Sequence, residues 1–204
     1  GLLLLIGLKR SWPAVGIREA LGALLGTTAL PKANLDKLFA ISSASVTMQS
    51  EFNLVPAPRA GICFKPIESS QYDEARTEIE ELLQFSSRET GSSFRIVTDE
   101  YRFTWVILED PDFDDLVGGI HLVSQTLIEK GFGDYLLCAI FRFEKGKPVY
   151  WVYHFKLGRF YPFIPLDGKT RDSAMEFRVR SLLEKDLPIE KEIAKWYPLW
   201  GIPL

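Results

Sequence analysis

Two cysteines and two histidines are the side chains of this sequence best suited to nucleophilic or metal chemistry. Cys63 and Cys138 lie in apolar, strand-like runs, which predicts buried free thiols that behave as small hydrophobic groups. His121 follows an isoleucine on a mostly apolar helix, and His154 lies between two aromatic residues in a strand-like run. Neither histidine has a cysteine or a second histidine at zinc-ligand spacing, so we expect no metal site.

An enzyme or small-ligand site is the alternative hypothesis. Cys138 and His154 fall on neighbouring strands of a predicted hairpin, and with Tyr161 they would line a pocket. A cysteine–histidine pair works only where its environment favours the thiolate, which these apolar runs do not. No Gly-x-Ser-x-Gly motif is present, and Gly131-x-Gly133 follows a helix instead of preceding one. The residues therefore favour binding over catalysis, with no cofactor.

Glu109–Asp115, which we call the acidic segment, contains five carboxylates in seven residues. It lacks the mid-loop glycine of a calcium loop. Acidic residues at the start of a helix oppose the positive end of the helix dipole, and this explains most of them. We also expect Asp112, Asp114 and Asp115 to orient a basic protein partner.

Two proline-containing aromatic segments are the most distinctive part of the chain: the central aromatic segment, Gly158–Leu166, and the C-terminal aromatic segment, Trp196–Leu204. Their prolines exclude a helix interior or a central strand. The segments therefore either wrap around the core or present an apolar surface to a partner. The partner-binding hypothesis assigns six anchor side chains to them: Phe160, Tyr161, Phe163, Trp196, Tyr197 and Trp200.

Composition indicates an ordinary globular protein, with 204 residues, 47% hydrophobic and 25% charged. The net charge of −3 argues against nonspecific nucleic-acid binding, which needs a basic face. It also weakens the hypothesis of a single-stranded nucleic-acid site among five basic residues near the central aromatic segment: Arg159, Lys169, Arg171, Arg178 and Arg180. Two free thiols predict a reducing, cytoplasmic location.

The first part of the sequence is expected to be an extension, residues 1–34, ahead of a single domain over residues 35–204. Residues 1–14 are expected to precede the natural start. Ile17–Leu25 has the spacing of a short amphipathic helix, which would pack on a partner or on its own domain, or lie on a membrane surface.

The hydrophobic pattern from residue 70 predicts helix, two strands, helix, two strands, helix. Short connections within each strand pair predict an α+β fold, with an antiparallel sheet and helices packed mainly on one face. Upstream, Val46–Phe52 is predicted as a strand and Gly61–Lys65 as another, with Pro56 and Pro58 interrupting the chain between them.

Several motifs resemble the PspA-associated protein B (PspAB) family over about residues 16–204. The resemblance rests on these segments: Asn34–Ala40, Ala44–Gln49, Asp99–Tyr101 with Thr104–Trp105, Gly131–Gly133 with Leu136–Cys138, Phe160–Phe163, Asp186–Glu190 and Trp196–Gly201.

The resemblance implies a role beside phage-shock protein A (PspA), which protects the cytoplasmic membrane under envelope stress, often together with a membrane metalloprotease. It implies no enzymatic activity and no catalytic residues. The order of elements is also similar to that of type III secretion chaperones and the YbjN group, which are small dimeric binding modules. We therefore expect a non-catalytic adaptor that binds a protein partner such as a PspA homologue and forms a homodimer.

Overall fold

The computed structural model describes residues 33–204, so the predicted helix Ile17–Leu25 lies outside the described residues. The helices of that range are α1 (Ala33–Asp36), α2 (Ala40–Phe52), α3 (Ser70–Thr90), α4 (Phe113–Glu129) and α5 (Ser173–Leu183). The strands are β1 (Val55–Phe64), β2 (Ser93–Thr98), β3 (Thr104–Glu109), β4 (Leu136–Glu144), β5 (Pro148–His154), β6 (Arg159–Phe163), β7 (Pro165–Leu166) and β8 (Thr170–Arg171). Over these residues, no helix is both long and apolar enough to span a bilayer.

Six strands form one sheet in the order β2-β3-β1-β4-β5-β6, and each adjacent pair is antiparallel. This confirms the α+β class and the antiparallel sheet. The predicted alternation of helices and hairpins fails after β5, because β6 follows β5 directly and adds a third strand to the sheet before the last helix. β7 and β8 form a separate two-stranded ribbon.

Helices α3 and α4 cover one face of the sheet, which we call the helix face. Strand residues alternate between faces, and residues paired directly across two strands share a face. Ala60 pairs with both Leu108 and Phe141, which places these three side chains together. The ring of Phe113, at the start of α4, packs on Phe141 with centroids 5.8 Å apart, so this is the face that α4 covers.

The opposite face, which we call the tail face, is covered by the C-terminal aromatic segment. Gly61, Ile140, Val152 and Tyr161 form one row across this face. Leu204 lies directly over Gly61, with its Cδ2 atom 3.1 Å from the position that a Cβ atom on Gly61 would occupy. Both faces of the central strands are therefore buried, which explains the nearly continuous apolar sequence of the β4–β5 hairpin.

The predicted strand Val46–Phe52 is wrong, because these residues form the second half of α2. The buried side chains of α2 recur at helical spacing: Ile41, Ala44, Ser45, Met48 and Phe52. The β-branched Val46 and Thr47, which suggested a strand, face away from this buried stripe.

The predicted break at Pro56 and Pro58 is also wrong, because β1 continues through both prolines. The register between β1 and β4 shifts between Pro56 and Ala60. An irregularity of this kind accommodates prolines, because the ladder there does not need every backbone N–H group.

The loop between β2 and β3 is longer than the short connection expected for this strand pair, and it is built around the Asp99 carboxylate. Its Oδ1 accepts hydrogen bonds from the amides of Tyr101 and Phe103, at 2.9 Å each. Its Oδ2 accepts one from the indole of Trp105 at 3.0 Å. Arg102 adopts a φ of +69°, so the carboxylate replaces the glycine-rich turn chemistry that a tighter hairpin would need.

Candidate functional site

The central aromatic segment contains β6, an edge strand of the six-stranded sheet, and the short strand β7, and its aromatic side chains point into the protein. Phe160, Tyr161 and Phe163 are buried. The Tyr161 hydroxyl donates a hydrogen bond to the backbone oxygen of Tyr197 at 3.1 Å, which ties the sheet to the C-terminal aromatic segment. Pro162 is tolerated because an edge strand has only one neighbour in the sheet.

The C-terminal aromatic segment lies against β6 and α5 before it crosses the tail face. Trp196 is 2% exposed, and its indole N–H donates to the backbone oxygen of Glu190 at 3.0 Å. Tyr197 and Trp200 are half-buried. The Trp200 ring meets Phe163 edge-on at 5.0 Å, and its buried indole nitrogen has no hydrogen-bond partner among the described residues.

Four of the six predicted anchor residues are therefore interior side chains: Phe160, Tyr161, Phe163 and Trp196. In this conformation none of the four faces solvent. Tyr161 and Phe163 lie beneath the C-terminal aromatic segment, whereas Phe160 packs on Tyr153 on the helix face. None of the four would reach a partner without a rearrangement of the fold, so their role as anchors stays a prediction. Tyr197 and Trp200 keep part of their surface at the exterior.

A buried ion pair fixes the C-terminal aromatic segment to β6 and α5. The Nε atom of Arg171 lies 2.8 Å from one carboxylate oxygen of Glu176 and 2.9 Å from the other. The same guanidinium donates to the backbone oxygens of Trp196 and Pro162, at 2.7 and 3.2 Å. Burial raises the pKa of Glu176 to about 7, although the adjacent guanidinium and the Ile164 amide act to lower it.

Sequence reasoning placed Arg171 in a basic group near the central aromatic segment and missed this ion pair. No local spacing signals the pair, because Arg171 lies in β8 while Glu176 lies in α5. Spacing alone predicts an ion pair when the two residues lie three or four positions apart on one helix, which is not the case here. Arg171, one of the five basic residues in the nucleic-acid hypothesis, is thus paired with a carboxylate inside the protein.

The acidic segment joins β3 to α4, and most of its charge is at the surface. Asp110 is buried and accepts hydrogen bonds from the Ser92 hydroxyl and the Asp112 amide. Asp112 is the N-cap of α4. Its Oδ1 atom accepts a hydrogen bond from the Asp114 amide at 2.9 Å, and aspartate is among the favoured residues at this position. Asp112, Asp114 and Asp115 are exposed. Desolvation raises the pKa of Asp115, and the neighbouring carboxylates of Asp110, Asp112 and Asp114 raise it further.

One arginine connects the acidic segment with the end of the C-terminal aromatic segment. Arg95 contacts the Glu109 carboxylate at 3.3 Å and donates to the backbone oxygen of Pro203 at 3.1 Å. Arg59 also pairs with Glu109, at 2.9 Å. The structure thus brings the acidic segment and the C-terminal aromatic segment to the same end of the sheet, although they are far apart in sequence.

The alternative pocket at Cys138, His154 and Tyr161 is filled with packed side chains. All three residues are buried, and Cys63 pairs directly with Cys138 across β1 and β4. Both thiols are free. Burial raises the pKa of Cys63 well above its ordinary value, and Cys138 adds to that shift, so the thiol form is favoured over a reactive thiolate.

His121 and the Gly131-x-Gly133 motif have structural roles. Over residues 33–204, no group of three or more His, Cys, Asp or Glu side chains is placed to hold a metal ion. His121 packs against the ring of Phe39 at 4.7 Å, and burial lowers its pKa. Gly131, with a φ of +88°, follows the end of α4, so the Gly131-x-Gly133 motif serves to stop the helix.

Comparison with known proteins places the chain in a family. The family model described as PspA associated protein B matches residues 17–204, which includes the whole of the fold described above. The chain belongs to the PspAB family. No curated protein and no solved structure matches it significantly, so the resemblance to secretion chaperones stays a prediction. The family description associates PspAB proteins with PspA, which is consistent with an accessory role.

Proposed function

We propose that this PspAB protein is a non-catalytic adaptor of a phage-shock, envelope-stress system that binds a PspA homologue at the cytoplasmic face of the membrane. The observation that carries the proposal is the family match over residues 17–204, because the family is described by its association with PspA. The buried state of Cys138 and Tyr161 supports a binding role over the alternative enzyme. Membrane contact through Ile17–Leu25 and homodimerisation stay predictions.

The proposed binding surface combines charge and apolar area. Asp112, Asp114 and Asp115 supply exposed negative charge that would attract a basic partner segment. Tyr197 and Trp200 supply half-buried aromatic area of the kind that is enriched at interfaces. The buried aromatic residues beneath them hold this surface rigid, which lowers the entropic cost of binding.

The proposal is tested by titrating the purified protein with a PspA homologue in a calorimeter. In the test variant, Asp112→Asn, Asp114→Asn and Asp115→Asn are combined. Asparagine is as good a helix cap as aspartate, so α4 is preserved. In the matched control, three exposed carboxylates of α3 are removed by Glu74→Gln, Glu81→Gln and Glu89→Gln.

We expect saturable binding to the wild type, a loss of about tenfold or more in the test variant, and little change in the control. The loss should shrink as salt is added, because salt screens the attraction between exposed charges. Tyr197→Ala should weaken binding independently of salt. No binding to the wild type, or equal losses in the test variant and the control, would reject the proposed surface.

A further inference from the structure

A cleft with an excess of positive charge opens at the β6 edge of the sheet, away from the acidic segment. Its volume is about 380 Å³, and four of its eight lining residues are cations: Arg159, Arg180, Lys185 and Lys191. Glu184 is its one acidic residue. The protein as a whole carries a net charge of −3, so this concentration of cations runs against the overall composition.

The walls of the cleft are fixed by backbone hydrogen bonds. The chain after α5 runs beside β6, where the Phe160 amide donates to the oxygen of Pro188 at 2.9 Å. The Glu190 amide donates in return to the oxygen of Phe160 at 2.8 Å. Buried Leu187 and Ile189 form an apolar floor. The cleft is therefore a pre-formed part of the fold, as is typical of ligand sites.

Most of the cations in the cleft have no carboxylate partner. Within residues 33–204, Arg159, Lys185 and Lys191 take part in no salt bridge. The guanidinium of Arg180 lies 5.8 Å from the centre of the Trp196 ring, which leaves its charge unneutralised. Glu184 and the carboxyl end of α5 contribute negative charge, but four cations outweigh them.

A neighbouring histidine adds no charge to the cleft. His154 pairs with Arg159 across β5 and β6. Burial, together with the charges of Lys156 and Lys195, lowers the pKa of His154 to about 4. The imidazole is therefore neutral at physiological pH, and the positive charge at this end of the sheet comes from lysine and arginine.

We propose that this cleft binds a phosphate-bearing ligand. Guanidinium groups bind phosphate oxygens with two parallel hydrogen bonds, and lysines add charge without fixed geometry. A volume of about 380 Å³ accommodates a group such as a diphosphate or a phosphoglycerol. The same chemistry is offered by a free organic phosphate and by an anionic phospholipid headgroup. The site is separate from the proposed PspA-binding surface, and either can fail without the other.

The test uses inorganic pyrophosphate in calorimetry at low ionic strength, and vesicles of phosphatidylglycerol and phosphatidylcholine in co-sedimentation. The variant Arg159→Gln/Lys191→Gln removes two cleft cations. The control Arg88→Gln/Arg178→Gln removes two exposed arginines that lie outside the cleft, so both variants have the same net charge. Thermal unfolding of all proteins establishes that they are folded, and Lys185→Glu, at an exposed position, serves as an independent second variant.

We expect the wild type and the control to bind, and the cleft variants to lose about tenfold or more in affinity. Pyrophosphate binding would identify a soluble phosphate ligand. Vesicle binding without pyrophosphate binding, lost in the cleft variants and absent with pure phosphatidylcholine, would identify a lipid headgroup. Failure of the wild type to bind either probe, or binding that the cleft variants retain, would overturn the proposal.

Discussion

At the scale of single residues, the Arg171–Glu176 ion pair holds together β6, α5 and the start of the C-terminal aromatic segment. At pH 8, above the pKa of Glu176, Glu176→Ala should lower the free energy of unfolding by about 3 kcal/mol, because the largely buried guanidinium would lose its partner. Glu184→Ala removes an exposed carboxylate just after the same helix and should change it by less than about 0.5 kcal/mol. Urea denaturation measures both, and equal effects would show that the pair has no structural role.

The stability of the protein should depend on pH through His154. Its pKa is about 4 in the folded protein, against 6.5 for the free side chain. The unfolded chain therefore binds a proton first, so stability falls as pH drops from 6.5 towards 4. The full loss is about 3 kcal/mol. Acidification also protonates His121, which lowers the stability as well because its pKa is lowered by folding. It also protonates Glu176, which raises the stability because its pKa is raised by folding.

The comparison that isolates His154 is between the wild type and His154→Gln. Urea denaturation at several pH values between 7 and 4 should show a shallower loss of stability in the variant. The groups nearest to His154 are Cys138 and Arg159 on the flanking strands, together with Lys156 and Lys195. Identical pH profiles for the two proteins would contradict the burial of a neutral imidazole.

At the scale of elements, substitution of two adjacent glycines tests how α4 packs on β3. A Cβ atom on Gly119 would lie 2.5 Å from Cδ1 of the buried Leu108, whereas one on Gly118 would meet nothing within 4 Å. Gly118→Ala should stabilise the protein by up to about 1 kcal/mol through helix propensity. Gly119→Ala should be at least about 1 kcal/mol less stable than Gly118→Ala, since the core must shift. Thermal unfolding measures the difference in stability between the two variants, and equal stabilities would contradict this packing.

The local elements with clear periodicity were largely predictable from the sequence. The two strands predicted after the first helix are β2 and β3, and the helix start predicted in the acidic segment is the observed cap of α4 at Asp112. Val46–Phe52 was misassigned because β-branched residues outweighed a helical stripe that began earlier, at Ile41. Local propensity is weak evidence when the buried face of an element is set by its tertiary neighbours.

At the scale of the whole molecule, long-range contacts were the part that the sequence did not reveal. The six aromatic residues were predictable as unusual, but not their division into buried supports and half-buried surface groups. That division depends on Gly61 leaving room for Leu204, and on Arg95 reaching both Glu109 and Pro203. The basic cleft likewise forms only because the chain after α5 returns to pair with β6.

The central claim is that the protein binds a PspA homologue through the acidic segment and the outer side of the C-terminal aromatic segment, with its fold intact. Hydrogen–deuterium exchange with and without saturating PspA homologue tests this directly. The account predicts slower exchange at amides of Glu109–Asp115 and around Trp200, with no faster exchange at Glu190, whose amide bonds to β6. Unchanged exchange throughout the protein at saturating partner concentration would contradict it.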